Sequence, residues 1–170
     1  MAEALDPAVP DDIERLAQEV LQAACDRELL LATAESCTGG LLASLLTDIP
    51  GKSHAFERGF VTYADDAKHE MLAVPRSILA REGAVSEACA QAMAMGAVAA
   101  SRADLAVSIT GFCEGPMAGL VYLACAGRGG LTGCRRERFG DVGRAEVRIR
   151  ALRAALRLFA DALNDLARAA

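Results

Sequence analysis

At 170 residues the chain has the length of one domain, enough to bury a core without disulfide staples. Its hydrophobic fraction of 53% contains no Trp, so the core has to be assembled from Ala, Leu, Val and Ile, which favours helices packed on a sheet. A formal net charge of -5 removes any electrostatic reason to expect nucleic acid or an anionic membrane as partner.

Six cysteines, at positions 25, 37, 89, 113, 125 and 134, include no C-x-x-C pair, and His54 and His69 complete no metal-ligand spacing. Met1 to Asp12 is acidic with two prolines, unlike a signal peptide, and nowhere do about 18 apolar residues run uninterrupted. The expectation is a cytoplasmic protein with reduced, mostly buried cysteines. Residues 1–10 read as a flexible tail ahead of a single domain at 11–170. The basic run Arg135-Arg136-Glu137-Arg138 reads as a solvated face of a strand.

From Asp12, with Asp11 or Asp12 as cap, Ile13, Leu16, Val20, Leu21 and Ala24 recur at helical spacing. Leu29 to Thr33 is an apolar run of strand length, suited to a parallel strand buried on both faces. Ser36 to Gly40 forms a polar turn into a short helix, Leu41 to Leu46. Phe56 to Tyr63 is aromatic and β-branched, hence a strand, and Ala64 to Leu72 returns to helical spacing. Pro75 suits the first turn of a helix and Gly83 its end; Ser86-Glu87 opens another, to about Arg102. Leu105 to Thr110 is a buried strand. Gly119 to Ala126 and Leu131 to Phe139 form a hairpin across Gly127-Arg128-Gly129-Gly130, and a long amphipathic helix from about Val142 to Ala167 closes the chain. Its apolar stripe carries Val147, Leu152, Leu156, Phe159 and Leu163. Strands alternating with helices, then a hairpin, predict a three-layer α/β/α sandwich with a mixed sheet. Sites in such folds gather at the carboxyl ends of strands, which selects Glu35 to Gly40, Tyr63 to Lys68 and Thr110 to Gly119.

Ser36 stands in a strand-to-helix turn whose main-chain N–H groups suit a phosphate or a developing oxyanion. Equally, Ser36 or Thr38 caps the helix and Gly39-Gly40 allows a tight turn. A nucleophilic serine needs a base, and neither histidine is suitably placed. Lysine serves if burial keeps it neutral, and the chain has only Lys52, in an evident turn, and Lys68, one helical turn after Tyr63. Read by itself, Lys68 is also compatible with a solvated helix position near Asp65.

The runs Thr33-Ala34-Glu35-Ser36-Cys37-Thr38-Gly39-Gly40, Phe56-Glu57-Arg58-Gly59-Phe60-Val61-Thr62-Tyr63 with Ala67-Lys68, and Gly83-Ala84-Val85-Ser86-Glu87 resemble successive signatures of the CinA C-terminal domain family. The likeness extends from about Ile13 to Leu163. It implies hydrolysis of the carboxamide of nicotinamide mononucleotide to nicotinate mononucleotide and ammonia, without metal or cofactor, by a small-molecule enzyme of the stand-alone type that forms a homo-oligomer. By position it implies Ser36 as nucleophile, Lys68 as base and Tyr63 as a positioning or relay residue. Cys37, Thr38, Gly39 and Gly40 would surround the substrate, with Thr110 and Gly111 lining the pocket. The stretch Phe139-Gly140-Asp141-Val142-Gly143-Arg144 with Val147-Arg148, its spacing from Phe139 shifted by a residue, would bring Arg144 to the ligand. One departure stands out: the longer glycine-rich loop of active relatives is reduced here to Phe112-Cys113-Glu114-Gly115-Pro116-Met117-Ala118 between Gly111 and Gly119. A shorter loop implies a more open pocket, and Glu114 could repel a phosphate. The alternatives are therefore a non-catalytic binder of a nucleotide or protein, or a hydrolase of a different amide.

Overall fold

A computed structural model describes residues 9–169. The expected tail at 1–10 lies mostly outside them; Val9, its last residue but one, packs against the core. The first helix, α1 (Asp11–Cys25), buries Ile13, Ala17, Val20, Leu21 and Ala24 along one face. Neither Asp11 nor Asp12 caps it. Pro10 precedes the first turn and accepts the Ile13 N–H, while Asp12 pairs instead with Arg153 at 2.7 Å. Proline suits this place because an initial N–H would have no helical partner anyway.

Strand β1 (Leu31–Glu35) begins two residues later than the apolar run implies. Leu29 N–H closes the end of α1 onto the Ala24 carbonyl, and Leu30 N–H is taken by the Asp104 carboxylate at 2.8 Å. The strand is buried throughout, including Thr33 and Glu35. It is followed by α2 (Leu41–Thr47), β2 (Phe56–Val61), α3 (Asp65–Leu72), α4 (Arg76–Arg81) and α5 (Glu87–Ala99). Ser86 caps α5, its hydroxyl accepting the Cys89 N–H. That helix stops three residues short of Arg102, since Ser101 turns its hydroxyl back to the Ala97 carbonyl and accepts the Ala103 N–H. Then come β3 (Leu105–Gly111), the hairpin of β4 (Leu120–Gly127) and β5 (Gly130–Arg138), and the 26-residue α6 (Arg144–Ala169).

The five strands lie in the order β2-β1-β3-β4-β5, parallel among the first three and antiparallel beyond. Helices cover both faces, giving the three-layer α/β/α sandwich with a mixed sheet. On one face Leu31, Leu105, Val107, Ile109, Val121 and Leu123 pack against α1, α2 and α6, including the α6 stripe Val147, Leu152, Leu156, Phe159 and Leu163. The other face is built of small residues: Ala32, Ala34, Ala106, Ala124 and Ala126, packed on α5. Period-two alternation along each strand separates the two sets. The small face lets α5 sit close, with Ser108 donating to the Ala90 carbonyl at 2.6 Å. Gly96 completes the approach from the other side of α5, where a Cβ would stand only 1.9 Å from the Leu72 carbonyl oxygen. On the edge strand β5, Arg135 pairs with Asp161 of α6 and Arg136 lies over the Tyr122 ring of β4, while Arg136 and Arg138 are exposed, so the basic run is a largely solvated strand.

Candidate active site

β1 is flanked by β2 and β3, so its carboxyl end lies between the ends of both neighbours. Ser36, the first residue past β1, keeps the sheet pattern by donating its N–H to the Ile109 carbonyl at 2.9 Å. β2 stops at Val61, two residues short of Tyr63, because the chain turns there toward α3. Thr62 N–H still bonds the Glu35 carbonyl, while the Thr62 and Tyr63 carbonyls face inward. Lys68, in the first turns of α3, fills the space between these two strand ends.

Lys68 is 1% exposed, the largest charged side chain so enclosed. Its Nζ lies 3.1 Å from Ser36 Oγ, 2.8 Å from the Thr62 carbonyl and 3.0 Å from the Tyr63 carbonyl. Among the described residues no carboxylate lies within ion-pairing distance of it. Nζ is placed to donate to all three oxygens; in the neutral amine two N–H groups stay on the two carbonyls and the lone pair is left to accept from the Ser36 hydroxyl. Burial lowers the Lys68 pKa below its ordinary 10.5, with weaker opposing influences from Cys89, Asp65 and Cys37.

A pocket of about 300 Å³ opens onto Ser36 and Lys68. Of the residues the sequence singles out, Cys37, Tyr63, Thr110, Gly111 and Arg144 line it as well. Tyr63 reaches Lys68 through its carbonyl, not its phenol; the ring is 67% exposed at the rim, beside Arg144. The Thr110 hydroxyl is committed, donating to the Ala84 carbonyl at 2.7 Å and so tying the segment before α5 to the pocket wall. Gly111 has no room for a side chain, a Cβ meeting Val121 Cγ2 at 2.7 Å. Thr38, Gly39 and Gly40 do not line the pocket. The two glycines adopt positive φ, 62° and 92°, and shape the turn.

The helix start behind Ser36 does not present all its donors outward. Glu35, fully buried, takes the Leu42 N–H at 3.0 Å, the Ala43 N–H at 2.8 Å and the Thr38 hydroxyl at 2.6 Å. Gly39 N–H returns to the Ser36 carbonyl. Those of Cys37, Thr38 and Gly40 are not engaged in this way. Thr38 thus serves Glu35, and Glu35 caps α2 from the strand before it. Sequence reasoning placed Glu35 in the right segment without a role. Arg148, which the sequence brings in only as part of the family-like stretch after Phe139, has a definite contact: its Nε donates to the Cys37 carbonyl at 2.8 Å and its guanidinium lies over Gly39. The signal available was its spacing, one helical turn after Arg144.

The loop between Gly111 and Gly119 folds back on itself: Phe112 N–H bonds the Leu120 carbonyl and Gly119 N–H the Phe112 carbonyl. Cys113 and Glu114 thereby face the pocket, and Glu114 pairs with Arg144 at 2.7 Å across its mouth.

The layered sheet, with a serine at the end of its central parallel strand touching a buried lysine at the floor of a pocket, defines a three-layer α/β domain with its site at the carboxyl ends of the parallel strands. More specifically, residues 13–163 match the CinA C-terminal domain, and the chain belongs to that family. It is 46% identical over 137 residues to the nicotinamide-nucleotide amidohydrolase PncC of Escherichia coli strain K12, a match covering 76% of this chain and 83% of that protein. It is 54% identical over 113 residues to a CinA-like protein of Akkermansia muciniphila, covering 62% of this chain. It spans only 27% of the length of that protein, and 29% of a putative competence-damage inducible protein of Symbiobacterium thermophilum. Among solved structures, the competence/damage inducible protein CihA from Agrobacterium tumefaciens superposes with a TM-score of 0.87 at 45% identity, over 92% of this chain and 98% of that one. Among the described residues no helix is long and apolar enough to cross a membrane.

Proposed function

We propose that this chain hydrolyses the carboxamide of nicotinamide mononucleotide to nicotinate mononucleotide and ammonia, with Ser36 as nucleophile and Lys68 as base. The observation that carries the reading is the 3.1 Å contact between Lys68 Nζ and Ser36 Oγ, made by a lysine that meets two main-chain carbonyls and, among the described residues, no carboxylate. The name of the Escherichia coli relative supports the substrate.

In this scheme neutral Lys68 takes the Ser36 proton as Oγ attacks the carboxamide carbon. The oxyanion is assigned to the N–H of Cys37, the residue of the turn that both lines the pocket and has its N–H left free by Glu35 and Ser36. Collapse expels ammonia, protonated by Lys68, and leaves an ester on Ser36. Water then attacks that ester, Lys68 takes its proton, and carboxylate and free serine are regenerated. Tyr63 and Thr62 hold the amine through their carbonyls, and Arg148 holds the turn through that of Cys37. The test is ammonia release from nicotinamide mononucleotide by the purified protein beside Ser36→Ala. Turnover lost in a folded Ser36→Ala protein is the expected result; turnover retained in it overturns the assignment.

The Glu114–Arg144 pair favours a second reading, an amide substrate without a phosphate, because the one arginine of the pocket already holds a carboxylate. Magnitude decides between the two. Both side chains are well exposed, and such a pair is worth about 0–1 kcal/mol, so displacing it costs a phosphate at most about fivefold in affinity. Glu114→Gln is accordingly expected to lower KM for nicotinamide mononucleotide by up to about fivefold and leave kcat unchanged. Steady-state kinetics on the two proteins check it. A KM unmoved or raised would detach Arg144 from the phosphate.

A further inference from the structure

Two thiols of the pocket wall serve none of the chemistry above. Cys37 follows Ser36 in the turn after β1, and Cys113 sits in the folded-back loop after β3. Both line the pocket, Cys113 Sγ lies 3.8 Å from the Cys37 carbonyl oxygen, and the two thiols are near enough to shift each other's titration. That approach of Cys113 to the Cys37 main chain sets the two thiols side by side in the pocket wall, and both residues lie in turns, outside the helices and strands, where a small backbone shift can join them. Arg148 and Arg144 supply positive charge beside Cys113.

The surroundings divide the labour between the two sulfurs. The Cys113 thiol is held below its ordinary pKa by the hydrogen bond from Cys37, then by Arg148 and Arg144, so it is the one that carries thiolate. The Cys37 thiol is pushed upward by the same hydrogen bond and by burial. Elsewhere burial raises Cys89 and Cys125 to about 11, away from reactivity. Cys134 is exposed and lies beside the Glu87 carboxylate at 3.6 Å, with no second thiol against it.

We propose that Cys113 and Cys37 form a reversible disulfide across the pocket when the protein meets hydrogen peroxide, Cys113 being oxidised first and Cys37 resolving it. The Cys113 thiolate attacks one peroxide oxygen; the S–O bond forms, the O–O bond breaks, and the departing hydroxide takes the proton Cys113 had lost, giving water. Cys113 is oxidised by two electrons to a sulfenic acid and the peroxide is reduced. The Cys37 sulfur then attacks Cys113; the S–S bond forms, the S–OH bond breaks, and the hydroxide leaves as a second water with the Cys37 proton. The bridge ties the residue after Ser36 to the loop and closes part of the pocket, so the oxidised form is the inactive one. A dithiol reductant restores it.

The test reads the bond itself, so it is independent of which substrate the pocket takes. Native protein is exposed to hydrogen peroxide, its free thiols are alkylated, and it is digested with trypsin plus a protease cutting after glutamate, which separates Cys113 from Cys125 at Glu114. The expected product is a Cys37–Cys113 linked peptide, lighter than its two parts by two hydrogens, absent after dithiothreitol and absent from Cys113→Ser. In Cys37→Ser the Cys113 sulfenic acid should be trapped by dimedone, which keeps the test decisive should Cys113→Ser fold poorly. Recovery of Cys37 and Cys113 as alkylated thiols after peroxide, or of Cys113 as sulfinic acid with Cys37 free, overturns the proposal.

Discussion

Replacing Lys68 with methionine is expected to lower kcat on nicotinamide mononucleotide by about 10²–10⁴-fold, the usual worth of a positioned general base. Methionine fills nearly the same volume, so packing around α3 is conserved. The Thr62 and Tyr63 carbonyls lose their donor, which costs stability, while the desolvation penalty of the amine disappears, which returns some. The pH dependence makes the prediction sharper. Because the folded-state pKa of Lys68 is depressed, the folded protein releases this proton at lower pH than the unfolded chain, whose value is 10.5. Below the folded pKa the buried ammonium is a cost. Between the folded pKa and 10.5 the unfolded state binds more protons, so stability attributable to Lys68 rises with pH across that window. Activity should rise over the lower edge of the same window as the base becomes neutral. Wild type and Lys68→Met compared by kcat/KM and by thermal unfolding across pH check both slopes. A wild-type rate that falls through that window, or a variant with wild-type kcat, would remove Lys68 from the chemistry.

How much of this could be read from the chain depended on whether burial and hydrophobicity coincide. They coincide on α6 and, apart from the buried Ser108 and Thr110, on β3, and those elements fall close to where apolar spacing puts them. They part at β1, where the central strand buries Thr33 and Glu35 while Leu29 and Leu30 close off α1 and meet Asp104. Reading the apolar run as the strand therefore starts it two residues early. The site divides in the same way. Ser36 and Lys68 are 32 positions apart and meet only because β1 and β2 are parallel neighbours, a fact carried by the family-like motifs and not by local pattern. The scarcity of lysine narrowed the choice to two. Contacts made through the main chain leave no trace in residue identity, so neither the Tyr63 carbonyl on Lys68 nor the Arg148 grip on the Cys37 carbonyl could be seen in advance. The shortened loop reads as an absence, yet it puts Cys113 and Glu114 into the pocket wall.

Glu35 shows most clearly how structure and chemistry are joined, and Glu35→Gln is expected to damage both. Its carboxylate accepts two main-chain N–H groups and one hydroxyl in a site closed to water, and hydrogen bonds of that charge-assisted kind are each worth about 1.5–3 kcal/mol. An amide keeps one acceptor oxygen and turns an NH₂ toward groups that also donate. At least one of the three bonds becomes a donor-to-donor conflict, in a place where neither partner can reach solvent. We expect a loss of about 3 kcal/mol, hence a fall in Tm of about 6–12 °C for a domain of this size. The catalytic consequence follows from position. Glu35 is the last residue of β1 and clamps the first turn of α2, so the Ser36 turn between them is held at both ends by one side chain. A displacement near 1 Å at a nucleophile costs about 10²-fold, so kcat should fall well below wild type at temperatures where the variant is still folded, with KM little changed. Thermal unfolding and steady-state kinetics on the same preparations separate the two effects. A variant that melts lower yet turns over normally would make Glu35 a stabilising residue alone; one with wild-type Tm and kcat would remove the clamp from the account of the site.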